Sequence, residues 1–238
     1  MNSQDNYRAL VPTNLRVVNQ TVGWMYHNHG TEALRIFKNT TLRRIHWVEK
    51  FSTRNNTNSP ETRTVESMSS LRLTNGQEAD RSLGISASYR GLGVSFGAGH
   101  RTFQARETTE TRTVTHRFTI PAGESLFVYQ RYYEFEDVFW WVLDAWGQNW
   151  TVGIRNGHVP LTSSTRITIM ADEYMSSIAP PINQELRVDV RAFSPEVRMS
   201  DFSVRQFQNT TARAQRDINY IRPQMFVSIS HISYSLIF

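Results

Sequence analysis

From residue 107 to residue 120 the chain reads Glu-Thr-Thr-Glu-Thr-Arg-Thr-Val-Thr-His-Arg-Phe-Thr-Ile, an alternation with a period of two. Thr109, Thr111, Thr113, Thr115 and Thr119 fall on one side of an extended backbone. Thr108, Glu110, Arg112, Val114, His116, Phe118 and Ile120 fall on the other. A helix would scatter both sets around its circumference, so the pattern specifies a strand. Threonine suits that backbone because its branched Cβ is little restricted there. The second side turns apolar toward Ile120, as expected of a strand that leaves solvent and enters a core.

Pro121-Ala-Gly123 marks a turn, with proline fixing φ and glycine permitting positive φ. A second extended run follows over 126–143. Phe127, Tyr129, Tyr133, Phe135, Phe139, Trp141 and Leu143 share one face, broken by Arg131 and Asp137. At about 3.3 Å per residue this run would span roughly 60 Å, far beyond the usual strand of about six residues. A bulge or bend between residues 134 and 137 is therefore expected. Further strands are expected at 15–22, 34–37, 44–52, 61–73, 150–154, 165–170, 186–193, 202–207 and 226–238. One helix is expected over 210–220, with a thin apolar stripe of Ala212, Ile218 and Tyr220. The fold class is mainly β, elongated, with long twisted antiparallel strands. The whole chain, 1–238, reads as one elongated unit, with 38–152 as a module flanked by β regions at 1–37 and 153–238.

Residues 83–104 change parity. Leu83, Ile85, Ala87 and Tyr89 are apolar at odd positions, whereas Leu92, Val94, Phe96 and Ala98 are apolar at even ones. In a hairpin with a two-residue loop, the residues flanking the loop point to the same side. With Arg90-Gly91 as that loop, Tyr89 pairs with Leu92, Ala87 with Val94, Ile85 with Phe96 and Leu83 with Ala98. All eight then face one side, while Ser86, Ser88, Ser95 and glycines face the other. Such sorting suits a transmembrane β-hairpin, which needs about 9–11 residues per strand. It equally suits an amphipathic hairpin lying on a soluble core.

Composition narrows the remaining classes. The chain has 238 residues, a formal net charge of +5 and no cysteine, so disulfide scaffolds, thiol nucleophiles and thiolate metal sites are excluded. Only Lys38 and Lys50 are lysines; the other 24 of 26 basic residues are arginine, interspersed with acids and threonine. Nucleic-acid binding is not expected, because it draws on basic residues grouped in one stripe. No apolar run reaches the roughly 18 residues of a membrane helix, and no classical signal peptide is expected from Met1 onward. No phosphate loop, nucleotide fingerprint or Ser-His-Asp arrangement is recognisable, so the chain is not expected to be an enzyme or to carry a cofactor.

The run from about Lys38 to Val152 resembles the pore-forming module of aerolysin-like, epsilon-toxin-like β-pore-forming proteins. The resemblance rests on Ile36-Phe-Lys-Asn-Thr-Thr41, Asn55-Asn-Thr57, the strand Glu61-Thr-Arg-Thr-Val-Glu-Ser67, the 83–104 hairpin, the threonine strand 107–119, and Ile120-Pro-Ala-Gly-Glu-Ser-Leu-Phe-Val-Tyr129. It implies a soluble protein, secreted or otherwise released, that binds a cell-surface receptor or glycan. It also implies assembly into a homo-oligomer and insertion of a β-barrel into a lipid membrane. Leu83, Ile85, Ala87, Tyr89, Leu92, Val94, Phe96 and Ala98 would then face lipid, with Ser86, Ser88 and Ser95 facing the lumen.

Four of the six tryptophans lie within 139–150. Trp141 is expected in the core; Trp146 and Trp150 are candidate receptor or glycan contacts, since indole rings stack on sugars and seek interfaces. His27, His29 and Glu32 have the spacing of ligands on one strand face, but a metal site needs more, and no metal is expected. Asp137 and Asp144 are not placed together by strand spacing. The alternatives to a pore former are a lectin-like carbohydrate-binding protein and a self-assembling crystal or storage protein.

Overall fold

The computed structural model of the chain describes residues 17–28, 31–73, 89–96, 99–104, 111–153, 160–179, 185–186 and 203–225. Strands dominate them: β1 (Val17–Asn28), β2 (Glu32–Arg54), β3 (Glu61–Leu73), β4 (Gly93–Phe96), β5 (Gly99–Thr102), β6 (Arg112–Ile120), β7 (Ser125–Ala145), β8 (Gln148–Gly153), β9 (Thr162–Ser177), β10 (Glu185–Leu186) and β11 (Ser203–Gln206). One α-helix, α1 (Ala212–Ile221), follows Thr211, whose side chain caps it by accepting from the Ala214 N–H. The main sheet runs β1-β2-β7-β9-β3-β6, with β8, β10 and β11 beside it and β4-β5 as a separate pair. Its pairings are antiparallel except β11 against β8.

The sheet's spine is longer than the sequence reading allowed. The separate strands expected at 34–37 and 44–52 merge into the 23 residues of β2. β7 runs 21 residues without a break. The expected bulge lies at that level but in β2, where Arg43 is the extra residue between Leu42↔Phe135 and Arg44↔Glu134. A second irregularity sits between Glu49 and Phe51. Bulges let two very long strands twist together without losing register. The expected strand at 165–170 extends over 162–177. Of the strand expected at 107–120, residues 107–110 lie outside the described residues, as do 226–238, and only 185–186 of the 186–193 region are described as strand.

One main apolar cluster lies on a single face of the spine. It takes Leu34, Ile36 and Leu42 from β2 and Tyr133, Phe135, Phe139, Trp141 and Leu143 from β7. Ala214, Ile218 and Ile221 of α1 cover its upper end. The helix is where the sequence placed it, but its buried stripe is Ala214, Ile218 and Ile221, and Tyr220 is exposed. A smaller cluster of Val65, Ile120, Leu126 and Val128 closes the other end.

Candidate functional site

Residues 89–104 lie tucked against β7. Leu92, Val94 and Phe103 are buried, whereas Gly93, His100 and Thr102 are exposed. The Tyr89 ring packs edge-on at 5.1 Å from Phe135, and Phe103 lies 5.0 Å from Tyr133 and 5.7 Å from Phe135. The segment is amphipathic, and its apolar side is spent on the core.

Its pairing differs from the sequence reading. Gly93 pairs with Thr102, Val94 with Arg101, Ser95 with His100 and Phe96 with Gly99. The partner of β4 is thus the strand after it rather than the one before. Tyr89 sits in a helical turn instead of a strand. Leu92 N–H donates to the Tyr89 carbonyl at 3.1 Å, Gly91 N–H to Phe103 O at 2.8 Å, and Phe103 N–H to Leu92 O at 3.0 Å. Gly91 and Leu92 thereby oppose the single residue Phe103, and Gly91 adopts the φ of 78° that a glycine-first bulge requires. Parity sorts faces but does not choose between two neighbouring strands. Residues 83, 85–88 and 98 lie outside the described residues, as do the side chains of Ser95 and Phe96.

A buried carboxylate lies under this segment. Asp137 of β7 is fully buried; it accepts from Thr40 Oγ1 at 2.5 Å and from Tyr89 OH at 3.0 Å. Lys38 Nζ stands 3.4 Å from its second oxygen, with its own side chain only 7% exposed. A buried charge survives only when paired and hydrogen-bonded. Burial, and after it the Asp137 charge, push the Tyr89 phenol well above its usual 10.0. The sequence marked Asp137 as an interruption of an aromatic face. It did not identify Lys38, one of two lysines, as the partner across the β2–β7 ladder. The available signal was a lysine at 38, inside a run otherwise apolar or threonine-rich.

A second carboxylate, Glu173 of β9, gathers Arg101 of β5 and Arg131 of β7. Arg101 forms an ion pair with one oxygen, Arg131 reaches the other at 2.6 Å, and Tyr133 OH lies 3.2 Å and 3.3 Å from the two. The Arg101 guanidinium lies over the rings of Phe103 and Tyr133 at 5.3 Å and 5.5 Å, and Arg131 over Trp47 at 4.4 Å. The hairpin is thus fastened at both ends: Tyr89 to Asp137, and Arg101 to Glu173.

Trp146 tips the β7–β8 turn at φ 54°, 67% exposed. Trp150 is half-buried against the main cluster. Their rings stand 5.8 Å apart edge to face, and the Arg205 guanidinium lies 4.6 Å and 4.9 Å from them. Trp141 is in the core. Glu32 hydrogen-bonds Tyr26 OH at 2.5 Å and also the Thr211 hydroxyl. Asp144 stands 4.0 Å from Arg35, and the odd spacing from Asp137 puts the two aspartates on opposite sheet faces. Among the described residues, no three His, Asp or Glu side chains gather as a metal site would require.

No protein-family model matches this chain, and no curated protein matches it by sequence. Among solved structures it is similar to pro-monalysin, an oligomeric pore-forming toxin, at 10% identity over 71% of this chain and 70% of that one, with a TM-score of 0.28. It is also similar to parasporin-2, a Bacillus thuringiensis toxin that recognizes cancer cells, at 14% identity over 80% and 92% of the chains, with a TM-score of 0.19. At those scores the likeness transfers no residue and no activity.

Proposed function

We propose that this chain is a pore-forming toxin or defence protein that acts without catalysis. It binds a cell surface, assembles as a homo-oligomer and inserts a β-barrel into the membrane. The observation that carries this reading is the amphipathic 89–104 segment, packed apolar side down on β7 and fastened by polar contacts rather than continuous sheet. No helix among the described residues is long and apolar enough to cross a membrane; a barrel crosses with strands and closes all its backbone hydrogen bonds.

The resting pair β4–β5 is a poor transmembrane hairpin. Cross-strand partners share a side, so Arg101 lies on the same face as Val94. Arginine facing lipid near the bilayer midplane destabilises a barrel by about 2–4 kcal/mol. Pairing about Arg90-Gly91 removes that conflict. Leu83, Ile85, Ala87, Tyr89, Leu92, Val94, Phe96 and Ala98 then face lipid, and Ser86, Ser88 and Ser95 the lumen. Activation is therefore an exchange in which β4 leaves β5.

A reversible lock tests this on the exposed side. Gly93 and Thr102 are paired across β4–β5, and directly opposed strand residues approach within the roughly 4.4–6.8 Å that a disulfide spans. The chain has no other cysteine. Oxidised Gly93→Cys/Thr102→Cys should release no dye from liposomes made of target-cell lipid extract, and reduction should restore wild-type release. Full release while oxidised overturns the exchange. No release by the wild-type chain from any natural membrane overturns the pore reading itself.

A further inference from the structure

A cleft of about 460 Å³ opens between β1 and α1, lined by Gly23, Trp24, Met25, Ile36, Arg213, Asp217, Tyr220 and Ile221. It lies apart from the 89–104 segment and does not include Trp146 or Trp150. Its size falls within the roughly 300–1,000 Å³ of small-molecule sites.

Two large aromatics converge on it from unrelated elements, and both are unusually exposed: Trp24 at 61% and Tyr220 at 65%. Trp24 comes from the sheet's edge strand, where the register shifts between Trp24↔Arg35 and Tyr26↔Leu34. That bulge re-aims a side chain that regular pairing would fix. Arg213, Asp217 and Tyr220 are spaced four and three residues apart and so share one face of α1. Gly23 adds no side chain between them; a Cβ there would meet Ile36 Cγ2 at 3.3 Å.

The walls are fixed in place. Tyr26 and the capping Thr211 both bond Glu32, which ties the helix N-terminus to the β1–β2 end. The Arg213 guanidinium lies 4.2 Å over the Tyr26 ring. Trp24 is held by His27 at 5.5 Å and Arg35 at 5.6 Å. Such support is what a preorganised site needs.

The geometry points to a neutral carbohydrate, a mono- or disaccharide unit, as the ligand. Trp24 and Tyr220 offer ring faces to the C–H side of a pyranose. Asp217 accepts from hydroxyls and Arg213 donates to them, so a polyol satisfies both. A cationic headgroup fits poorly, because Arg35 already lies over Trp24 and Arg213 lines the same cleft. An anion fits poorly beside Asp217. The inference does not rest on pore formation.

Isothermal titration of the whole chain with methyl glycosides of glucose, galactose, mannose, N-acetylglucosamine and N-acetylgalactosamine tests it, with phosphocholine alongside. At least one glycoside should bind saturably. Trp24→Ala, Tyr220→Ala and Asp217→Asn should each weaken it about tenfold or more, with circular dichroism unchanged. Ile178→Ala, a distant exposed substitution, should not weaken it. No binding of any glycoside overturns the proposal. So does binding of phosphocholine alone, or binding lost with Trp146→Ala but kept with Trp24→Ala. A glycoside blank would leave dye release from glycan-free liposomes unaffected, so the two readings fail separately.

Discussion

The Tyr89 hydroxyl donates to Oδ1 of Asp137 at 3.0 Å, while Lys38 stands 3.4 Å from the carboxylate's other oxygen. The tucked segment therefore shares an acceptor with the buried ion pair of the sheet. Tyr89→Phe removes one hydrogen bond to a charged, still-paired acceptor and should lower stability by about 1.5–3 kcal/mol. Asp137→Ala strands Lys38 in the core and should lower it by about 3–5 kcal/mol. Lys38→Met/Asp137→Leu, which removes both charges, should recover most of that loss. Urea unfolding midpoints at constant slope check the order. Equal losses for Asp137→Ala and the double variant would show that the ion pair is not what the core depends on.

Alkaline pH should loosen the same contacts. Burial raises the phenols of Tyr89, Tyr26 and Tyr174, with Asp137 adding to the effect at Tyr89 and Glu32 at Tyr26. A folded pKa above the unfolded one gives stability that is complete below the unfolded value, about 10. That stability fades as pH climbs from there toward the folded value. Of the nine tyrosines, these three should therefore ionise late, together with unfolding, in an absorbance titration near 295 nm. Tyr89→Phe should flatten the fall in stability above pH 10. An unchanged slope would mean that Tyr89 ionises freely in the folded chain.

The backbone pattern was legible because period-two alternation and a branched Cβ act locally. The threonines of β6, the apolar odd positions of β7 and the turn at Pro121 needed no knowledge of neighbours. What stayed hidden depends on which strand lies alongside. Val94 satisfies its side equally opposite Ala87 or Arg101, so parity left the hairpin's partner open. Asp137 and Lys38 sit far apart in sequence, and their pairing follows only from the β2–β7 register. Trp24 and Tyr220 went unread for a similar reason: each looks like an ordinary apolar residue until a bulge and a helix face turn both outward.

Asn55 braces the β2 end in a way its sequence motif does not reveal. It is fully buried, and its Nδ2 donates to Ser59 O, Ile120 O and Pro121 O at 2.8–3.1 Å. Its Oδ1 accepts from the Thr57 N–H and hydroxyl at 2.9 Å and 2.7 Å. The side chain thus joins three chain segments around the Pro121 turn. Asn55→Ala leaves several buried groups unpaired, each worth about 1–3 kcal/mol, and should lower stability by about 3 kcal/mol or more. Asn55→Asp keeps the acceptor and loses the donor, so it should fall between. Thermal unfolding of the three chains gives the order. The buried nitrogen also makes the Asn-X-Thr sequon here a non-acceptor in the folded chain, which mass spectrometry of secreted material can check.

Glu173 decides how tightly the far end of the hairpin is held. It is the shared acceptor for Arg101, Arg131 and the Tyr133 hydroxyl, and all three charged side chains are largely shielded from solvent. Glu173→Ala leaves two guanidinium groups facing each other over Tyr133, with no anion between them. Losing a charge-assisted contact of about 1.5–3 kcal/mol raises the open population roughly 10- to 100-fold. Because opening is local, amide exchange should speed up in β4 and β5 while the β2–β7 spine keeps its protection. Under the pore reading, the same variant should release liposome dye sooner after mixing, with an unchanged endpoint. Uniform acceleration of exchange throughout the sheet would instead assign Glu173 to global stability, and exchange unchanged in β4 and β5 would remove it as a fastening of the hairpin.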